Sequence, residues 1–461
     1  MSPNNHDRWD ALCKLAEQEM RKHHIPGASI GICLGGEALS AGFGVTNLNN
    51  PLPVDASTAF QIGSITKTLT CAAVMRLVEA GRLQLETPVT AVLPTWRVTD
   101  SLATSGATVW HLLTHTGGWL GDLFVDTGSG EDALAKYVAR MADLPQVAPI
   151  GLHYSYNNAA FVLLGRIVES IEGMAFEKVV SATLFNPLGL ADSHFKADEI
   201  MTKRFAVGHR VLGSLAEVAV PWALPRSGAP MGSIVANVPD LLSYARMMLA
   251  LGTTKDGKQL LKPETVQAMQ ASQKAIWRDR ESIGLAWHIE KHGSEVLVHH
   301  GGATLGQGAW LEYCPSRGFA LAILANSDTA SHLVRSLRKQ ALREYLGVDL
   351  PRDEFHAMTN QQMKEVEGRY VLPKFGFTEI RILAGKLIAQ DINTGGFPTE
   401  DTPPEPSPPP YTLELAESDR LVVADGKFKD TICHILRDDS GKMRWFRMGG
   451  RIHLRERIPQ Y

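Results

Sequence analysis

A serine and a lysine three residues apart are the first pair in this chain whose spacing could do chemistry. Gln61-Ile62-Gly63-Ser64-Ile65-Thr66-Lys67-Thr68-Leu69-Thr70 reads as a loop that turns into a helix at Ser64. Good helix formers follow (Leu69, Ala72, Ala73, Met75, Leu77), and Gly81 stands where a helix end wants a left-handed residue. Residues i and i+3 share a helix face, so Lys67 brings an amine to the Ser64 hydroxyl. A serine is a weak nucleophile until a base takes its proton, and the amine supplies one. Free N–H groups at the helix start favour the negative charge that then develops. The same spacing recurs at Ser193/Lys196, in a loop-like stretch, and at Ser336/Lys339, on a basic and solvated helix face. Only Ser64 follows a glycine at a loop-to-helix junction.

Two further clusters could serve that serine. In Tyr154-Ser155-Tyr156-Asn157-Asn158 a tyrosine stands two residues before an asparagine, in a turn opening a helix. The Tyr156 phenol could shuttle a proton and the Asn158 amide could grip a carbonyl; an Asn-rich N-cap with packing tyrosines fits the same residues. In Val298-His299-His300-Gly301-Gly302, at a strand end, the glycines would let a substrate backbone approach, with Gly302 N–H an oxyanion donor beside Ser64 N–H. His299 or His300 could orient substrate or carry protons. His111 and His115 have the i, i+4 spacing of zinc ligands but lack the glutamate of a His-Glu-x-x-His site, so no metal and no cofactor are expected. Gly-x-Ser-x-Gly, the other common serine-hydrolase signature, is absent.

The elements that must position these residues are readable in outline. Residues 7–24 suit an amphipathic helix, and two apolar runs around Gly35-Gly36 suit a β-hairpin. A helix-rich stretch extends to about residue 272, with segments at 109–114, 132–142, 158–171, 175–184, 239–251 and 263–270. Strands return at 296–299, 309–313 and 318–325, then a helix over 331–346. This predicts an α/β fold: an antiparallel sheet assembled from both chain ends, with a helical subdomain beside it and a cleft between them. Residues 351–354 resemble a linker, so residues 1–350 are expected as one domain and 351–461 as a C-terminal all-β antiparallel barrel of about eight strands. Within it, seven of the thirteen residues 398–410 are proline, which predicts an extended loop and not a strand. That second domain is expected to shape the entrance and supply no chemistry.

Bulk numbers bound the rest. The chain has 461 residues, 44% of them hydrophobic, and a formal net charge of −3, which gives no electrostatic reason to expect nucleic acid. No apolar run is long enough to span a membrane, and the N-terminus lacks a signal peptide's apolar core. Five scattered cysteines form no paired framework, so cytoplasmic residence is expected; the oligomeric state is open.

Together and in this order, the three clusters resemble the serine β-lactamase-like family: class C β-lactamases, penicillin-binding DD-peptidases, and related esterases and D-aminopeptidases. Ser64-Ile65-Thr66-Lys67 resembles its first motif, Tyr156-Asn157-Asn158 its Tyr-x-Asn motif and His299-His300-Gly301 the His-x-Gly form of its third. His111-Leu112-Leu113-Thr114-His115-Thr116-Gly117-Gly118 also looks like a family landmark. The resemblance covers residues 8–350 and implies an acyl-enzyme mechanism. Ser64, Lys67, Tyr156 and His299 are then catalytic, and Asn158, His300, Gly301 and Gly302 bind substrate. Dedicated β-lactamases carry Lys-Thr-Gly at the third motif. A histidine there, with an ordinary pKa of about 6.5, tilts the implied function toward an esterase, amidase or D-aminopeptidase acting on small esters, amides or peptides. A β-lactamase or DD-peptidase, a metal-dependent hydrolase and a silent binding protein on the same fold are the alternatives.

Overall fold

Gly35-Gly36 turns a hairpin of Gly27–Leu34 and Glu37–Gly44, with Ala28 opposite Phe43. In this computed structural model, which describes residues 5–222, 224–426 and 428–456, Gly27–Leu34 is buried along nearly its whole length. It is therefore no edge strand. It pairs with Phe319–Ala325 from far along the chain, Ala28 opposite Ala325. Across the sheet the order is Glu37–Gly44, Gly27–Leu34, Phe319–Ala325, Gln307–Cys314, Glu295–Thr304, His288–His292, Glu281–Ile283 and Lys274–Trp277, antiparallel throughout. The assembly from both chain ends is as expected, whereas the last three strands lie where no strand was predicted. They are short, and their polar residues (Glu281, His288, Glu290, His292) mask the alternation that marks a strand.

Helices cover both faces. Asn5–Lys22 and Ala330–Ala341 bury Leu12, Ala16, Met20, Leu333 and Leu337 against one. On the other, Val238–Leu249 packs on Gly27–Leu34 and Phe319–Ala325. Beyond it stands Thr66–Glu79, buried on almost every side; a helix apolar all round belongs in an interior. Asn158–Glu172 packs beside it.

The C-terminal part is a closed barrel of eight antiparallel strands: Gly368–Leu372, Gly376–Leu383, Lys386–Asn393, Tyr411–Glu417, Arg420–Val423, Ile432–Arg437, Met443–Met448 and Arg451–Glu456. The last pairs back on the first, Arg369 opposite Glu456, so no strand is left with a free edge. Tyr370, Ile380, Leu387, Leu413, Leu421, Cys433 and Phe446 fill the middle. The barrel meets the rest of the chain at several places, among them its Gly449-Gly450 turn. Tyr156 N–H donates to Gly450 O at 2.8 Å, and Ile452 N–H donates to Ser155 Oγ at 3.1 Å.

Candidate active site

Ser64 sits in a single 3-10 turn, Gly63–Ile65, that leads directly into Thr66–Glu79. Gly63 makes the turn possible: its φ is +52°, and a Cβ there would lie 2.7 Å from Ala303 N. Lys67 is fully buried. Its Nζ donates to Ser64 Oγ at 3.0 Å and to Met231 O at 2.6 Å. Burial, and next the charge of Arg451, hold its pKa well below the ordinary lysine value, with Asp122 pulling the other way. An amine so placed readily gives up its charge and can accept the serine proton. The two other Ser-x-x-Lys serines are otherwise engaged: Ser193 Oγ donates to Asp240 and Ser336 Oγ to Glu19, each at 2.8 Å. Ser336 is thus half-buried between two helices instead of solvated as expected.

Tyr156 lies beside this pair. Lys67 Nζ stands 5.0 Å from its ring centroid, and the ring stacks on His115 at 4.5 Å. Burial raises its pKa, with Ser64 partly offsetting that. Its hydroxyl meets no partner in hydrogen-bonding geometry among the described residues. Asn157 caps the following helix, accepting from Ala160 N–H at 2.8 Å. Its own N–H donates to His115 Nδ1 at 2.9 Å. Asn158 donates to Asp122 Oδ1 at 2.5 Å. The two histidines read as possible zinc ligands thus do structural work: His115 supports Tyr156, and His111 Nδ1 caps its own helix by accepting from Thr108 N–H at 3.2 Å. No cluster of three metal-binding side chains forms among the described residues.

Strand Glu295–Thr304 separates the histidines of the third cluster. Successive side chains point to opposite faces of a strand. His300 faces Tyr156, ring centroids 6.3 Å apart, and its Nδ1 lies 2.6 Å from Gly301 O. Burial, then His288 and Lys67, hold its pKa well below the ordinary value. His299 is on the other face, stacked on Trp310 at 4.6 Å and 3.0 Å from Glu290 Oε1. His299, expected as catalytic, thus lies on the face away from Tyr156, against Glu290 and its ion pairs with Arg338 and Glu312, and His300 is the histidine turned toward Tyr156.

Register also moves the oxyanion donor. Thr304 and Gln307 close a two-residue hairpin turn, so bonds to the neighbouring strand alternate through Thr304, Gly302 and His300. Ala303 N–H then points away from that strand, and its nitrogen lies beside Gly63, where a Cβ would come within 2.7 Å of it. Gly302 has a steric role, since a Cβ there would lie 1.9 Å from Ile62 O. Gly301 turns toward Trp310, where a Cβ would lie 3.2 Å from the indole.

The barrel reaches into the same space. Arg451 pairs with Asp122, the residue that holds Asn158, and its Cζ lies 5.0 Å from the Tyr156 ring centroid. Arg447, almost fully buried, donates to Tyr154 O at 3.2 Å and also to Ile276 O. A cleft of about 1010 Å³ joins Ser64, Tyr156, Asn158 and His300 to Arg447 and Arg451. Phe397, Pro398 and Glu405, in and beside the proline-rich segment, line its rim, and Arg140 pairs with Glu400 at 2.9 Å. The segment thus reaches the cleft, while the barrel also places charge inside it, which was not expected. Asp122, Met231, Arg447 and Arg451 carried no sequence signal; Gly449-Gly450 was legible only as a turn.

A sheet–helix body with a serine, a buried lysine and a tyrosine around one cleft defines the class of the serine β-lactamase-like enzymes. The Beta-lactamase family model matches residues 12–344, and the chain belongs to that family. It is 33% identical to penicillin-binding protein 4 of Amycolatopsis lactamdurans over 356 residues, 76% of this chain and 92% of that protein. The solved structure of SurE with D-Leu has a TM-score of 0.73 at 26% identity, covering 98% of this chain and 100% of that one. A class C β-lactamase from Rhodobacter sphaeroides shares the fold at a TM-score of 0.59 and 20% identity, over 73% of this chain and 99% of that one. No helix among the described residues is long and apolar enough to cross a membrane.

Proposed function

We propose that the chain hydrolyses small esters, amides or peptides through an acyl-enzyme on Ser64, on the esterase and D-aminopeptidase side of its family. The observation that carries this is the buried Lys67 amine 3.0 Å from Ser64 Oγ. Ser64 Oγ attacks the carbonyl carbon while its proton passes to Lys67, with Tyr156 beside both. The tetrahedral oxyanion is held by Ser64 N–H and Ala303 N–H. Tyr156 and Lys67 return the proton to the leaving group as the carbon–leaving-group bond breaks. Water then attacks the ester, its proton following the same route, and the acid leaves. Asn158 and His300 orient the substrate. His300, held neutral, offers no fixed positive charge for a β-lactam carboxylate at the third motif.

One further observation supports this reading, and another a second. The SurE structure holds D-Leu, which favours substrates bearing a D-residue. Penicillin-binding protein 4 favours a DD-peptidase as the second reading. We take residue 350 as the boundary between a hydrolase domain and a C-terminal barrel domain. All five cysteines are free thiols, four of them buried, which supports a reducing, cytoplasmic setting. Activity on p-nitrophenyl esters, D- and L-amino acid p-nitroanilides and nitrocefin, with fluorophosphonate labelling, tests the proposal. Ser64→Ala should abolish labelling and lower turnover at least roughly a thousandfold, with the fold retained. Near wild-type turnover in the folded variant would reject Ser64 as nucleophile and favour a silent or differently catalysed site.

A further inference from the structure

The barrel's Gly449-Gly450 turn and the strand after it press on the segment that carries Tyr156. Two hydrogen bonds from the barrel's backbone help to dock it there: Gly450 O accepts from Tyr156 N–H, and Ile452 N–H donates to Ser155 Oγ. Neither needs the Arg451 side chain. That side chain instead turns into the cleft, about 30% exposed, and lays its guanidinium over Tyr156. Lys67 Nζ and Arg451 Cζ are each 5.0 Å from the centroid of the same ring, so the two cations are at most about 10 Å apart. At a protein's effective dielectric, a unit charge at that range moves a neighbour's titration by about one pH unit. Asp122 carries the opposite charge, buried between Arg451 and Asn158.

We propose that Arg451 is a positioning residue that sets the charge state of the Lys67–Tyr156 pair, with Asp122 as its counterweight, so that the barrel completes the active site. This rests on Ser64, Lys67 and Tyr156 being the reacting group. The other groups facing Lys67 are Ser64 on its own turn, His115 from the helix end, Tyr156 and His300. Burial holds both histidines well below their ordinary pKa, so Arg451 and Asp122 are the two fixed charges in this set. Arg451 favours the neutral amine, the form that accepts the serine proton. Asp122 prevents an unpaired guanidinium from turning away and ties its position to that of Asn158.

The full-length chain labelled with 13Cε-lysine tests this, with the Lys67 resonance assigned as the one lost in Lys67→Arg. Arg451→Gln should raise the Lys67 midpoint by about one pH unit; Asp122→Asn should lower it, and Arg451→Lys should leave it near the wild type. Fluorophosphonate inactivation should follow, the acid limb of Arg451→Gln moving up by the same amount, which makes it about tenfold slower at any pH well below the wild-type Lys67 midpoint. Arg451→Lys should restore most of the rate. An unmoved Lys67 midpoint in folded Arg451→Gln overturns the proposal, as does slowing by one factor at every pH, the mark of a substrate grip. If wild-type Ser64 fails to label, the nucleophile reading falls, while the Lys67 midpoints still judge the role of Arg451.

Discussion

The body and the barrel hold one segment, Tyr154–Asn158, by different physics. The body holds it by packing and capping: His115 stacks on Tyr156, and Asn157 caps the helix whose Phe161 is buried in the main core. The barrel holds it with backbone hydrogen bonds and two arginines from a rim whose interior is remote and filled. On the proposed mechanism the body therefore builds the nucleophile, and the barrel sets the field in which it works. A site can thus be assembled by one domain's core and still take its electrostatics from the surface of another.

The sharpest way to break this comparison is at the proton carriers the body supplies. Lys67→Ala and Tyr156→Phe should each lower kcat by about 10²- to 10⁴-fold with little change in KM. Steady-state kinetics on the double variant should show a loss well short of the product, since the two act as a unit. Fully multiplicative losses would mean that they carry separate protons.

Acid should test both regions at once. Burial holds His288, in the sheet, at a pKa of about 3 and the barrel residues His434 and His453 at about 2 and about 4. An unfolded histidine titrates near 6.5. Below that pH the unfolded chain takes up protons that the folded chain refuses, so stability is full above about pH 6.5 and falls as pH drops toward the folded values. Each such histidine should cost about 1–2 kcal/mol by pH 5, read as a lower urea midpoint at pH 5 than at pH 7. His434→Gln and His453→Gln should flatten that profile. An unchanged slope in both would confine the acid sensitivity to the body.

The smallest effect is expected at the rim. Replacing residues 399–409 with a short Gly/Ser link should change the ratio of activity on bulky to small esters by a few-fold. An unchanged ratio would reduce the segment to a connector and leave the barrel's contribution to its turn and to Arg447 and Arg451.

What was legible in the sequence follows the range of each interaction. Ser64 and Lys67 lie at a helix start, where spacing fixes the shared face, so their proximity was readable; Tyr156 and Asn158 flank the start of a second helix, and only the family resemblance set them apart from a packing tyrosine and an N-cap. His299 and His300 lie on a strand, where a shift of one residue swaps the faces. Their register is set by the Leu305-Gly306 turn beyond them, so spacing could not tell which of the two faces Tyr156. Arg451 and Asp122 are 329 residues apart, and no local pattern links such a pair. The barrel itself was legible because each strand pairs with the next, leaving a turn signal at almost every connection.

The pairing of Gly27–Leu34 with Phe319–Ala325 also sets an order of events on the ribosome. Gly27 N–H donates to Asn326 Oδ1 across 299 residues. At usual rates of synthesis that partner is made about fifteen seconds to a minute later, and until then the first hairpin has emerged with its apolar face uncovered. The barrel strands, each beside its neighbour in sequence, have no comparable wait and can close soon after their last residue appears. The two halves of this site therefore wait unequal times for their partners, and the half that carries Ser64 waits longest.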